Sequence, residues 1–295
     1  MNLITVEVGG AKLVLAPEIG GSIAGWTRHG APMMRAAAAE ALEGHEPRDL
    51  SSYPLVPYSN RVAGRCFRFD GETHVLPDLL NGHAIHGAGW RLPWAAIQDG
   101  PTATIMLDHL PDALWPFAFR AEQRFTLGPD SLVCELLIEN RHDRRAPAGF
   151  GLHPHFPRSP AMRLQFSAEH VWLNGEADMI PFRRIAVPAE WDHRDGLAVG
   201  DTRLDNCFAS WGGHARLSYP DRGFTIDMAA DPVFRHLVVY IPPGAGFLAV
   251  EPVSNMNDGL NRMDGVTDHG VFVLEPGESR SGRIRYTVTD IGALA

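Results

Sequence analysis

FRAEQRFTLGPDSLVCELLIEN, running from Phe119 to Asn140, consists of two β-like segments parted by Gly128, Pro129 and Asp130. Gly admits left-handed backbone, Pro presets its own φ, and Asp bonds its neighbouring backbone, so the three together mark a turn. Two such runs about a short turn predict a β-hairpin. The same grammar recurs in CFRFDGETHVL (Cys66–Leu76, turning at Asp70 and Gly71) and AAIQDGPTATIML (Ala95–Leu107). It returns in ARLSYPDRGFTIDM (Ala215–Met228) and in GVFVLEPGESRSGRIRYTV (Gly270–Val288, turning at Pro276 and Gly277). With turn signals about every ten residues, the pattern is that of an all-β protein of two packed sheets, a large many-stranded β-sandwich. Only APMMRAAAAEALEG, Ala31 to Gly44, has helix-forming composition over more than two turns, bounded by Pro32 and Gly44. No internal repeat or linker divides the chain, so residues 1–295 are expected to form one domain.

The chain of 295 residues is 45% hydrophobic and 21% charged, ample for a buried core. A net charge of -9 without any Lys/Arg run argues against a nucleic-acid partner, because such affinity rests on neutralising phosphates. Cys66, Cys134 and Cys207 are odd in number and lack CxxC spacing, which reads as buried, reduced thiols. The opening MNLITVEVGG has no signal-peptide pattern, and no apolar run approaches the ~20 residues that span a bilayer. A cytoplasmic location with no membrane association is expected.

Four stretches carry polar residues that strands do not need. YSNRVAGR places Asn60 and Arg61 before a hairpin, where Arg61 is either a surface cation or a ligand contact. NGHAIHGAGW contains His83 and His86, the latter beside Gly87, which lets a backbone or ligand approach closely. GLHPHFPR sets His153 and His155 one residue apart, pointing both rings to one side of an extended chain. In FLAVEPVSNMNDGLN, Glu251 ends an apolar run, and a carboxylate there needs a partner or a wet cleft. A histidine pair on a strand also suits a cupin-type metal site. However, no acidic residue follows before Glu169, so no metal is expected.

Taken in order, NR (Asn60, Arg61), HG (His86, Gly87) followed by Trp90, HPHF (His153–Phe156), LDNCF (Leu204–Phe208) and EP (Glu251, Pro252) followed by NDGLN form one set. That set resembles the aldose 1-epimerase family, also called galactose mutarotases. The segments APEIGGSIAGWTRHGAPMMR and LEPGESRSGRIRYTV are similar to the family's two ends. The resemblance implies a cleft that binds a free monosaccharide (an aldohexose, deoxyhexose or pentose) and interconverts its anomers without a cofactor. It implies His153 as general acid and Glu251 as general base, with Arg61, His86 and Asp205 holding the sugar and Asn60 beside them. The chain departs from the family at Ala88, where HGG is usual, and at His155, where tyrosine is common. His155 is therefore expected to support the site rather than act in it, and the acid limb of the rate profile to follow the Glu251 carboxylate.

A sugar-binding module that has lost catalysis would lack the acid or the base, and both are present. A sugar-phosphate pocket would want cations clustered about Arg61. Arg65 and Arg68 lie near in sequence but on a predicted hairpin, which favours a neutral sugar. Trp211 and Phe156 are read as core residues. The expected assembly is a monomer or homodimer.

Overall fold

In the computed structural model, which describes residues 2–292, Phe119–Gly128 and Ser131–Asn140 are ten-residue strands paired from Phe119↔Asn140 to Gly128↔Ser131. Alternate side chains, among them Phe125, Leu127, Leu132, Leu136 and Ile138, are buried, while those between them face outward. Each large apolar side chain buried this way contributes about 1.5–3 kcal/mol relative to exposure. Gln123 falls on the buried face too, and its Nε2 donates to the Gly21 carbonyl at 2.9 Å, so the amide is not left unpaired.

This hairpin is part of an antiparallel nine-stranded sheet that runs from Ala95–Asp99 at one edge to Leu197–Ala198 at the other. An eight-stranded sheet faces it, containing in order Pro181–Ala186, His170–Asn174, Leu204–Ala209, His236–Ile241, Phe247–Val253, Gly151–Leu152 and Pro54–Leu55, with His155–Pro157 also paired to Phe247–Val253. The sheets meet through contacts such as Phe166 on Phe208, with ring centroids 4.8 Å apart, and the Tyr219 hydroxyl donating to the Pro157 carbonyl at 3.0 Å. The architecture is the expected many-stranded β-sandwich.

The second sheet is covered on both faces, which is why its strands read as continuous apolar runs rather than alternating ones. Leu248 and Val250 join the core between the sheets, whereas Val253, Val238, Cys207 and Trp172 join a smaller cluster on the other side. Glu251 shares the parity of Val253 and pairs with Val238 across the strand, so it stands on that second face.

Four of the five predicted hairpins form. The Asp70–Gly71 turn has φ of 50° and 82°, the paired left-handed geometry that tight hairpins prefer. The fifth does not form: Phe272–Leu274 pairs with Ala146–Ala148, and Ser279–Asp290 lies between Ser131–Asn140 and Phe224–Ala230. The turn signal at Pro276–Gly277 is obeyed, but the two strands it joins find distant partners. The predicted helix Ala31–Gly44 shrinks to Ala39–Glu43. Met33 and Met34 are buried and donate their N–H groups to the Trp26 carbonyl, and Ala37 donates to Ala24. Core packing thus outweighs the alanines' helix propensity. Cys134 and Cys207 are buried, Cys66 is half-buried, and all three are free. Phe156 and Trp211 are core residues.

Candidate active site

Asn60, Arg61, His86, His153, Asp205 and Glu251 line one open cleft of about 480 Å³ over the second face of the eight-stranded sheet. They converge from separate elements. Glu251 comes from Phe247–Val253, Asp205 from Leu204–Ala209, and His153 from the link between Gly151–Leu152 and His155–Pro157.

Asn60, Arg61 and His86 lie on two loops that lock together. Asn60 and His86 both have φ of 60°; the Asn60 N–H donates to His86 Nδ1 at 3.1 Å, and the His86 N–H returns a bond to the Asn60 carbonyl at 3.0 Å. Gly87 is needed beside them, since a Cβ there would lie 2.2 Å from the Val56 carbonyl oxygen. Burial, assisted by the charges of Arg61 and Arg48, lowers the His86 pKa to about 3. The ring is therefore neutral, and because Nδ1 accepts, its proton is on Nε2, which makes it a donor.

The stretch after Glu251 clamps this loop. Asn255 Oδ1 accepts the Ser59 N–H at 3.0 Å and its Nδ2 donates to the Ser59 carbonyl at 3.1 Å. Asn257 Oδ1 accepts the Arg61 N–H at 3.2 Å, and Asp258 Oδ1 accepts that of Ala63 at 3.0 Å. The run SNMND thus connects the strand carrying Glu251 to the loop carrying Arg61. No periodic or spacing signal in the sequence pointed to that task.

His153 Nε2 lies 3.3 Å from Glu251 Oε1, with the two residues 8% and 2% exposed. Burial pushes Glu251 well above the ordinary carboxylate range; the Asp205 charge adds to this and Arg61 opposes it. Burial pushes His153 well below the ordinary imidazole value, helped by His155, His86 and Arg35. Both shifts favour the uncharged forms, and the two groups in contact titrate as a pair. Asp205 is likewise raised by burial, against the pull of Arg61.

His155 lines the cleft but its Nδ1 is engaged, donating to the Leu50 carbonyl at 2.8 Å. Arg35 Nη2 donates to the same carbonyl at 2.8 Å, and the guanidinium lies 4.4 Å over the Phe247 ring. His83 is apart from the cleft, accepting the Gly64 N–H at 3.2 Å through Nδ1. Arg68 lies on a hairpin strand and lines a different groove. Sequence reasoning missed Tyr53, Tyr240, Phe247 and the pair Arg48–Glu46, bonded at 2.8 Å, all of which line the cleft. Tyr240 was findable only through register, as the cross-strand partner of Asp205. Among the described residues no group of three or more His, Cys, Asp or Glu is disposed to hold a metal ion.

The sequence profile of the aldose 1-epimerase family matches residues 2–287. Over 297 residues the chain is 28% identical to the Escherichia coli K12 protein YphB, covering 98% of this chain and 99% of that one. A crystal structure of a protein from Escherichia coli K12 matches with a TM-score of 0.89 at 27% identity, covering 98% of this chain and 99% of the other. That of galactose 1-epimerase from Lactobacillus acidophilus matches at 0.80 and 17% identity, covering 98% and 94%, and shares the fold.

Proposed function

The chain belongs to the aldose 1-epimerase family, and from that premise we propose that it interconverts the α and β anomers of a free monosaccharide in this cleft. The observation that carries the reading is the buried His153–Glu251 contact at 3.3 Å, flanked by His86 and Arg61 as donors. We read the whole chain as one cytoplasmic domain serving that single site.

Ring opening needs one proton removed and one delivered. Glu251, as carboxylate, takes the proton of the O1 hydroxyl while the C1–O1 double bond forms. The C1–O5 bond breaks, and O5 takes the proton that His153 carries as imidazolium. The aldehyde turns about C1–C2, and re-closure returns each proton to the group that exchanged it. Opening leaves a protonated carboxyl and a neutral imidazole, which are the forms that burial favours. The low-dielectric site therefore stabilises the enzyme's state in the open-chain complex relative to the ionised state that starts it. His86 Nε2–H and Arg61 supply donors to sugar oxygens as charge shifts between O1 and O5. Acid and base contribute roughly 10²- to 10⁴-fold each.

Freshly dissolved single-anomer aldohexoses, deoxyhexoses and pentoses, followed by polarimetry with and without protein, test the reading. Accelerated equilibration of at least one sugar is expected. Binding without acceleration across the whole panel would make the chain a sugar-binding module instead.

Arg61→Ala is expected to weaken sugar binding and kcat/KM by roughly 10- to 100-fold, the loss of a charge-assisted hydrogen bond. The melting temperature should hold, because the guanidinium's bond within the chain is a long one, 3.3 Å to Asn60 Oδ1. A collapse in melting temperature would show Arg61 to be structural.

A further inference from the structure

An acid-base histidine works only if its ring is held with the right nitrogen toward the reacting atom, and the usual restraint is a hydrogen bond to the other nitrogen. Two of the three histidines in the cleft have one: His86 Nδ1 accepts from the Asn60 N–H and His155 Nδ1 donates to the Leu50 carbonyl. His153 does not. Its Nδ1 is buried with no partner in hydrogen-bond geometry, and only its own main-chain carbonyl acts on the ring as a backbone acceptor.

What His153 has instead is Tyr53. The His153 N–H donates to the Tyr53 carbonyl at 3.0 Å, which sets the two residues side by side beyond the Leu152↔Pro54 pair. Their rings are stacked, with centroids 4.6 Å apart and planes inclined by 22°. His86 meets the imidazole edge-on at 87° and His155 at 55°, so Tyr53 provides the nearly parallel contact. Tyr53 is itself 3% exposed and packs on Trp90 at 5.8 Å, so the ring is firmly seated.

We propose that Tyr53 is the positioning residue of His153, its ring fixing the imidazole plane in place of the missing hydrogen bond so that Nε2 faces Glu251 and the sugar. The aromatic face also suits an imidazolium stacked upon it. The charged and titratable groups around the ring are Glu251, His86, His155 and Arg35. The inference rests on the epimerase reading for its catalytic consequence but not for its geometry.

Two variants separate ring from hydroxyl. Tyr53→Phe keeps the stack and should leave kcat within about threefold, whereas Tyr53→Leu should lower kcat roughly 10- to 100-fold with KM within about threefold, the scale of a misplaced catalytic group. Tyr53→Met serves the same purpose if the Leu variant does not fold. NMR of the sugar-free protein gives an independent measure. The carbon-bound ring protons of His153 should resonate upfield under the Tyr53 ring current in the wild type and Tyr53→Phe, and return toward ordinary positions in Tyr53→Leu. Unchanged kcat and unchanged His153 resonances in the Leu variant would overturn the proposal, as would equal loss in Phe and Leu. If the wild type equilibrates no sugar, the epimerase reading fails while the resonances alone decide the role of Tyr53.

Discussion

Glu251→Gln should lower turnover by roughly 10²-fold or more, leave sugar binding within about tenfold, and raise thermal stability. Gln keeps the shape of the side chain and cannot take the O1 proton, so the loss falls on kcat. The gain in stability follows from burial. In the unfolded chain the carboxyl ionises near its ordinary 4.5, while in the fold burial holds it well above that. Between those values the unfolded state releases a proton that the folded state keeps, so stability falls as pH rises through the interval. Gln has no proton to lose. Its advantage over Glu should therefore be small at pH 4 and grow toward neutrality, read as paired melting temperatures across pH. A destabilised but active Gln variant would show that the carboxylate is structural and the base lies elsewhere. The rate profile gives a second check. Because Glu251 and His153 are in contact, the two limbs of the wild-type bell belong to the pair rather than to either residue. That modifies the expectation that an ordinary carboxylate sets the acid limb: removing Glu251 should leave the residual activity with a single limb.

His153→Asn should cost roughly 10²-fold or more in kcat, for Asn cannot carry a proton to O5. The stability effect mirrors that of Glu251. The unfolded imidazole protonates near 6.5 and the buried one well below it, so the wild type loses stability as pH falls through that window and the Asn variant does not. The double variant should be scarcely slower than either single one, since acid and base act as a unit. His155→Asn should be much milder, within about tenfold, because the Leu50 carbonyl that loses the imidazole donor keeps the Arg35 donor at 2.8 Å. Equal, severe losses at His153 and His155 would overturn the division of labour between them.

How far the sequence carried can be judged residue by residue. Arg61, His86, His153, Asp205 and Glu251 were legible because an ordered set of short motifs named them, and the fold does bring them into one cleft. Tyr53 was not legible: it sits in the apolar run SSYPLVPYSN, and its contact with His153 depends on strand pairing about a hundred residues away. The stretch holding Asn255 and Asn257 stood out in sequence, Asn257 as the start of NDGLN, but its task of clamping the Arg61 segment appeared only in the fold.

The sequence by itself determined the β class and four hairpins, because partners in a hairpin are neighbours and the residues of the turn decide their pairing. It also determined which residue types the cleft would hold. Only the tertiary structure decided where Ser279–Asp290 pairs, since both of its partner strands are remote in the chain. Tertiary packing likewise reduced the Ala31–Gly44 helix to one short turn, as burying Met33 and Met34 outweighs a propensity worth tenths of a kcal/mol per residue. The proton preferences of Glu251 and His153 come from the same source. A side chain's ordinary pKa is a property of its chemistry, but the desolvation that moves both groups toward their neutral forms exists only once the eight-stranded sheet and the segments over its second face have closed around them.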